Sequence, residues 1–194
     1  FKGTQPTAGD VKYADLNNDG IMDERDKKVV SPYSNTPEIM FGLNLSASWK
    51  GFDFSALFQG AANRNVMLSG FATQMFINGA SNLPKYLYED HWTPDNRDAC
   101  YPKAWGPDHP SNNKSSTFWL INGNYVRLKN VELGYSISKD LLSRVGVDRL
   151  RIYVGGSNLF SIDHMPGYDP EKQDGGPNYY PQQRVFNMGV NITF

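Results

Sequence analysis

The chain has 194 residues, 39% hydrophobic and 20% charged, with 19 basic against 20 acidic side chains, a formal net charge of -1 and a mean hydropathy of -0.54. This near-neutral balance excludes the clustered basic surface that nucleic acid requires, and no apolar run approaches the roughly 18 residues of a membrane helix. One cysteine, Cys100, cannot close an internal disulfide, and the three histidines do not stand at metal-ligand spacings with it.

Glycine, proline and asparagine together make about a quarter of the chain, and aromatic residues add 13%. That usage disfavours helix and favours strands joined by turns and loops, so an all-β fold is expected. The start, Phe1-Lys2-Gly3-Thr4, has no initiator Met and no signal-type segment, and it reads as a piece of a longer protein.

Residues 1–37 are polar, contain Pro6, Pro32 and Pro37, and read as an extended loop carrying one motif. Asp15, Asn17, Asp19, Ile21, Asp23 and Asp26 occupy positions 1, 3, 5, 7, 9 and 12 of a calcium-loop template, Gly20 takes the sharp turn at position 6, and Ile21 offers its carbonyl. Position 12 is Asp instead of the usual Glu, as in dockerin-like loops, and no helix enters the loop. The chemistry favours a structural Ca²⁺; the competing reading is an Asx-rich turn that caps itself.

From Glu38 the pattern changes to period two. Ile39, Phe41, Leu43, Leu45, Ala47 and Trp49 alternate with small or polar residues, Lys50-Gly51 turns the chain, and Phe52, Phe54, Ala56 and Phe58 alternate again. After a long polar stretch, 61–124, comes a strand at Tyr125 to Ser136 whose faces are less cleanly sorted. Residues 137–149 make a short connection with about one helical turn at Leu141, Leu142 and Val145. Leu150 to Ser157 is the next strand, 158–184 a second long loop, and Val185 to Phe194 the last strand.

Connections therefore alternate long, short, long, short, long. A soluble sandwich has no reason for that order, whereas an outer-membrane barrel has short turns on one side and long loops on the other, with strands of about 9 to 11 residues. If Lys50-Gly51 is a periplasmic turn, parity places the C-terminus in the periplasm, and additional strands within 61–124 must come in pairs. Five strands cannot close a barrel, for which about eight is the practical minimum. The chain is thus expected to be the C-terminal strands of a transmembrane antiparallel β-barrel with long extracellular loops, 1–37 being an extracellular loop and 38–194 the barrel strands.

Several segments resemble the SusC/RagA family of TonB-dependent outer-membrane transporters of Bacteroidetes. They are Gly9-Asp10-Val11-Lys12-Tyr13, Asp15 to Gly20, Pro37 to Leu43, Tyr125 to Tyr135, Leu150-Arg151-Ile152-Tyr153, Ser157-Asn158-Leu159-Phe160 and Asn187 to Phe194, in family order across essentially the whole chain. The resemblance implies a 22-stranded barrel with a plug, a TonB box contacting the TonB complex, and a SusD-like lipoprotein lid. It also implies uptake of oligosaccharide or peptide nutrients across the outer membrane.

Trp92, Trp105, Tyr101 and His91, with Asp95, are candidate sugar- or peptide-binding residues in the first long loop; the competing reading has the two tryptophans packing that loop. Tyr168, Tyr179 and Tyr180 stand similarly in the second loop. Glu89-Asp90-His91, Asp108-His109 and Asp163-His164 lack an accompanying nucleophile, so no catalytic residues are assigned. A soluble all-β carbohydrate-binding module with a dockerin-like calcium loop is the alternative. There, Phe41, Phe54, Phe58, Phe186, Ile192 and Phe194 would share a core instead of facing lipid.

Overall fold

The computed structural model describes residues 5–76, 83–105, 112–142, 146–172, 180 and 182–194; Val145, Asp108, His109 and Tyr179 lie outside them. Among the described residues seven strands form: β1 (Ile39–Trp49), β2 (Phe52–Ala62), β3 (Asn65–Met67), β4 (Leu120–Asn122), β5 (Tyr125–Ser136), β6 (Arg149–Asp163) and β7 (Val185–Thr193). Among the described residues two short α-helices accompany them, α1 (Lys85–Glu89) and α2 (Lys139–Leu142), besides single 3₁₀ turns such as Glu24–Asp26. Five strands make one antiparallel sheet in the order β1-β2-β5-β6-β7, and β3 pairs with β4 as a separate ribbon. Among the described residues of 61–124 this ribbon is the strand structure present, and it lies outside the five-stranded sheet. Among the described residues no helix is long and apolar enough to cross a membrane.

The β1–β2 connection follows from two residues. Lys50 and Gly51 both have positive φ, 47° and 88°, the condition for a tight turn whose twist matches its strands. Trp49 then lies opposite Phe52, and the register runs unbroken to Ile39 opposite Ala62. That pairing puts Phe41, Leu43, Leu45, Ala47 and Trp49 of β1 on the same face as the phenylalanines of β2, while Met40 falls on the other.

The unsorted faces of β5 have a physical cause. Leu57 pairs with Asn130 and Phe58 with Leu128, so Lys129 is an extra residue that shifts the phase of the strand. Val126 and Leu128 on one side of this bulge thereby face the same way as Val131, Leu133 and Tyr135 on the other. Across the next pairing, Leu128 opposes Phe160 and Asn130 opposes Ser157, so Asn158 and Leu159 stand against the single Lys129. Asn158 takes a left-handed φ of 54° there. This bulge also explains why β6 runs six residues past the boundary expected at Ser157: Ser161 and Asp163 look like loop residues but are polar-face strand residues beyond the irregularity.

One face is therefore apolar across all five strands, from Leu43 and Leu45 through Phe54, Leu133, Val154 and Val190, and these side chains are exposed. Phe186 is 77% exposed and Phe194 84%. Trp49, Phe52 and Tyr135 gather at the short-turn end, with Phe52 and Tyr135 ring centroids 4.6 Å apart and the Lys50 ammonium 4.8 Å from the Trp49 ring. Aromatic residues and lysine in that position match the interfacial girdle of a membrane barrel.

The buried core lies elsewhere, in the long loops. Val66, Leu68, Ala72, Met75, Leu87, Trp105, Trp119 and Met165 form one cluster drawn from β3, 68–119 and the segment after β6. The described parts of both long loops thus pack into one body beyond the sheet.

Candidate functional site

Of the four aromatic and histidine candidates, the structure places Trp105 and Tyr101 in or against the loop core and joins His91 and Trp92 to Tyr101 through the backbone. Trp105 is 6% exposed within the loop core. Tyr101 packs against that core, its ring 5.1 Å from Tyr86 edge-on and 6.2 Å from Trp119 in a stacked arrangement. His91 bridges Tyr101 through the backbone, and its Nδ1 lies 2.9 Å from the Tyr88 carbonyl. Trp92 lies instead over Gly9, whose φ is +86°; a Cβ there would stand 2.5 Å from the indole. Trp92 and Tyr101 also line an open cavity of about 260 Å³ with Asp10, Cys100 and Phe118. Burial pushes the Tyr86 hydroxyl well above its ordinary value, and this hydroxyl donates to the Ala72 carbonyl.

Asp10 ties the N-terminal segment to this body. Its side chain is 1% exposed, and burial alone would raise its pKa. The Thr7 backbone N–H and hydroxyl (both 2.9 Å), the Asn112 amide (2.9 Å) and the Lys103 ammonium (3.1 Å) outweigh that and hold it at about 2. Asn112, fully buried, accepts from the Val11 N–H at 2.8 Å, and its carbonyl accepts from the Trp119 indole at 2.7 Å. A depressed carboxyl stabilises above its unfolded pKa and loses that contribution as pH falls through the folded value. Asp10→Asn is expected to remove about 2 kcal/mol of anchoring at neutral pH. Hydrogen exchange of 5–13 at pH 7 should rise in the variant, and wild-type protection should decay between about pH 4 and about pH 2.

The calcium-type loop is closed by its own hydrogen bonds. Asp15 Oδ2 accepts from Gly20 N–H (2.8 Å), Asn17 Oδ1 from Asp19 N–H (2.9 Å), and Asp19 Oδ1 from Ile21 N–H (2.9 Å). Asp26 accepts from Leu16 N–H and Asp23 N–H, which hold its carboxyl below the usual range. The Arg25 guanidinium reaches both Asp19 (2.9 Å) and Asp23 (2.8 Å), and its hydrogen bond is the main reason the Asp23 carboxyl is lowered. Among the described residues no three acidic or metal-binding side chains converge as a metal group. One oxygen is left over: Asp15 Oδ1 is buried with no hydrogen-bond partner. The donor chemistry fits a hard cation, and that orphaned oxygen is where the loop has acceptor capacity to spare.

The polar face of the sheet carries two ion clusters that no sequence motif announced. At the long-loop end, Arg127 of β5 makes a forked contact with Asp169 (2.8 and 3.3 Å), each side chain 6% exposed. Glu171 accepts from Arg127 at 3.0 Å and from Lys129 at 2.7 Å. Arg64, 2% exposed, donates to the Pro170 and Lys172 carbonyls, both at 2.6 Å. Segment 169–172 is thereby bolted over the ends of β2 and β5. At the short-turn end, Arg151 of β6 reaches across β5 to Asp53 of β2 and also to Glu132 at 2.7 Å. Gly134 makes that reach possible, since a Cβ there would stand 2.3 Å from the guanidinium. The available signal was charge at alternating strand positions, but alternation does not reveal partners 42 or 98 residues away.

Comparison with known proteins agrees with this architecture. No protein-family model matches the chain. TonB-dependent receptor P26 of Formosa agariphila is 31% identical over 199 residues, covering 96% of this chain and 20% of its own length. TonB-dependent receptor SusC of Bacteroides thetaiotaomicron is 24% identical over 185 residues, covering 94% of this chain and 17% of its own. Among solved structures, the RagAB peptide transporter aligns with TM-score 0.62 at 28% identity, over 84% of this chain and 18% of that one. The RagAB peptide importer in the closed-closed state aligns with TM-score 0.64 at 25% identity, over 91% and 20%. The chain spans about a fifth of the length of the relatives it matches. With its antiparallel wall apolar on one face and polar on the other, the chain belongs to the SusC/RagA family of TonB-dependent receptors, as strands of the outer-membrane barrel.

Proposed function

We propose that the chain is part of the wall and outer loops of a TonB-dependent outer-membrane importer of bulky nutrients, oligosaccharide or peptide, working with a SusD-like lipoprotein and with the TonB complex through other parts of the protein. The observation that carries this reading is the single-layered sheet, whose apolar face has no second layer over it among the described residues. Phe41, Phe54, Phe186, Ile192 and Phe194 are all exposed there. A carbohydrate-binding module would need those residues in a common core. Strands β1 and β7 form the two sheet edges, and in lipid their unpaired backbone groups call for further strands to close the wall.

In this reading Lys50-Gly51 and 137–148 lie on the periplasmic side with the C-terminus, while 5–38, 63–124 and 164–184 are extracellular. The packed loop body presents a fixed surface to the lipoprotein, and transport needs no bond-making step from this chain. Recovery of the intact parent protein as a soluble species on cell fractionation would overturn the barrel reading. Growth of a deletion strain on single glycans or single peptides decides the nutrient: loss of growth on one class identifies it, and unimpaired growth on all of them sinks the importer reading.

Residues 15–26 are read as a structural Ca²⁺ loop, with Asp15, Asn17, Asp19, the Ile21 carbonyl, Asp23 and Asp26 as the holding set. The unpartnered Asp15 Oδ1 supports this, and the ion would have to displace Arg25 from Asp19 and Asp23. EDTA is expected to increase protease cleavage at 12–28 in the wild type, with Ca²⁺ restoring resistance. The Asp15→Ala, Asp19→Ala double variant should be equally cleavable with or without EDTA. A wild type indifferent to EDTA means the loop is an Asx turn closed by its own side chains.

A further inference from the structure

We propose that the cavity beside the Arg127–Asp169 pair is a subsite for a carboxylate of the imported ligand, with Arg184 as its charged contact. This inference rests on the importer reading and narrows its substrate class. The cavity has a volume of about 240 Å³ and is bounded by Arg127, Asn158, Ser161, Tyr168, Asp169 and Arg184 among others.

Three features of this place point to an anion. The first is charge. The lining holds two guanidinium groups and one carboxylate, and that carboxylate is already committed: Asp169 Oδ1 accepts from Arg127 at 2.8 Å and from the Glu171 N–H at 2.9 Å, while Oδ2 accepts from Arg127 at 3.3 Å. Arg127 is turned toward Asp169 and Glu171 and forms a buried floor. Among the described residues no ion pair or hydrogen bond engages the Arg184 guanidinium, so within that set its positive charge at the cavity is uncompensated. Partly enclosed positive potential of this kind raises the local concentration of anions and strengthens their contact.

The second is donor supply. Ser161, the polar-face partner of Arg127 in the β5–β6 register, already donates its hydroxyl to Asp163 at 2.6 Å, so the donor here is Asn158. Asn158 points its amide toward Gln182 and the Gln183 carbonyl at 3.3 Å each, long contacts that a better acceptor can displace. The third is backbone construction. The irregularity at Asn158–Leu159, which stands against Lys129 of β5, contributes Asn158 to the cavity lining, and bulges beside binding sites re-aim side chains that regular pleating would point elsewhere. Segment 169–172, fixed by Arg64 and Arg127, keeps one wall from collapsing into the space.

A carboxylate reaches such a site either on a peptide or on a uronic-acid sugar, and binding to the purified full-length transporter separates these sources. Calorimetry would compare an acidic peptide with its fully amidated form, and an oligogalacturonate with its methyl ester. In one of the two series the acid is expected to bind about five- to tenfold more tightly than its neutral counterpart. Arg184→Gln should bring that ratio to about one, and Arg184→Lys should restore part of it. Arg184 is exposed, and heat-modifiable gel mobility checks that the variants remain folded barrels. Equal affinity of acid and neutral forms in both series, including binding of neither, overturns the proposal, as does an acid preference that survives Arg184→Gln. Energy-dependent nutrient uptake by intact cells is measured alongside: uptake with no acid preference leaves the importer reading standing without this subsite, and absence of uptake removes the importer reading itself.

Discussion

Arg127→Ala is expected to release segment 164–172 from the barrel wall at a cost of about 3–5 kcal/mol. The reason is an asymmetry. Asp169 is 6% exposed and would lose its forked partner, while Glu171 would keep the Lys129 ammonium at 2.7 Å. Hydrogen exchange across 164–172 should rise by orders of magnitude while that of β1 and β2 stays unchanged. Arg127→Lys should rescue little, because a single ammonium cannot reproduce the two-pronged contact. The double variant Arg127→Met, Asp169→Leu should recover much of the loss, since removing both charges together removes the stranded one. Protection of 164–172 that is the same in Arg127→Ala as in the wild type would show that the Arg64 hydrogen bonds and the packing of Met165 and Tyr168 hold the loop without Arg127.

Leu45→Arg carries the second large effect. Leu45 stands near the middle of β1 on the apolar face, opposite Ala56. A cation at the bilayer midplane of a barrel costs about 2–4 kcal/mol, whereas at a water-facing position it costs almost nothing. Asn44→Arg, one residue away on the polar face, is the internal control. The yield of heat-modifiable, membrane-inserted full-length protein should fall for Leu45→Arg and hold for Asn44→Arg. Equal yields would mean that the apolar face does not meet lipid, and the orientation of the whole sheet would have to be reversed.

Much of the wall was legible because alternation in a half-buried strand is a direct image of its two environments. Ile39 to Trp49 needed no tertiary information, and neither did the Lys50-Gly51 turn. What stayed hidden has two causes. A bulge breaks alternation without any residue that marks it, so Lys129 made β5 look unsorted and Asn158 made β6 look finished. Contacts between distant segments leave no local trace: the pairing of Arg127 with Asp169, of Arg151 with Asp53, and of Asp10 with Asn112 each depends on loops or strands that only the folded chain brings together. The aromatic loop residues show a related limit. Tryptophan and tyrosine are chosen for ligand stacking and for packing by the same physics, and Trp105 at 6% exposure is occupied by the second.

The paired bulges also set where this protein can change length over evolutionary time. Within a regular membrane strand, gaining or losing one residue turns every side chain beyond that point from oil to water, so such changes should be purged. Lys129 is an exception: its loss would make β5 regular while leaving Val126 and Leu128 on the face they now occupy. Losing Asn158 and Leu159 together would do the same for Phe160 and Ile162 in β6. Gaps among relatives should therefore collect at these two adjoining places in the wall, and an alignment that puts a single-residue gap elsewhere in β5 or β6 has misread which atoms meet the membrane.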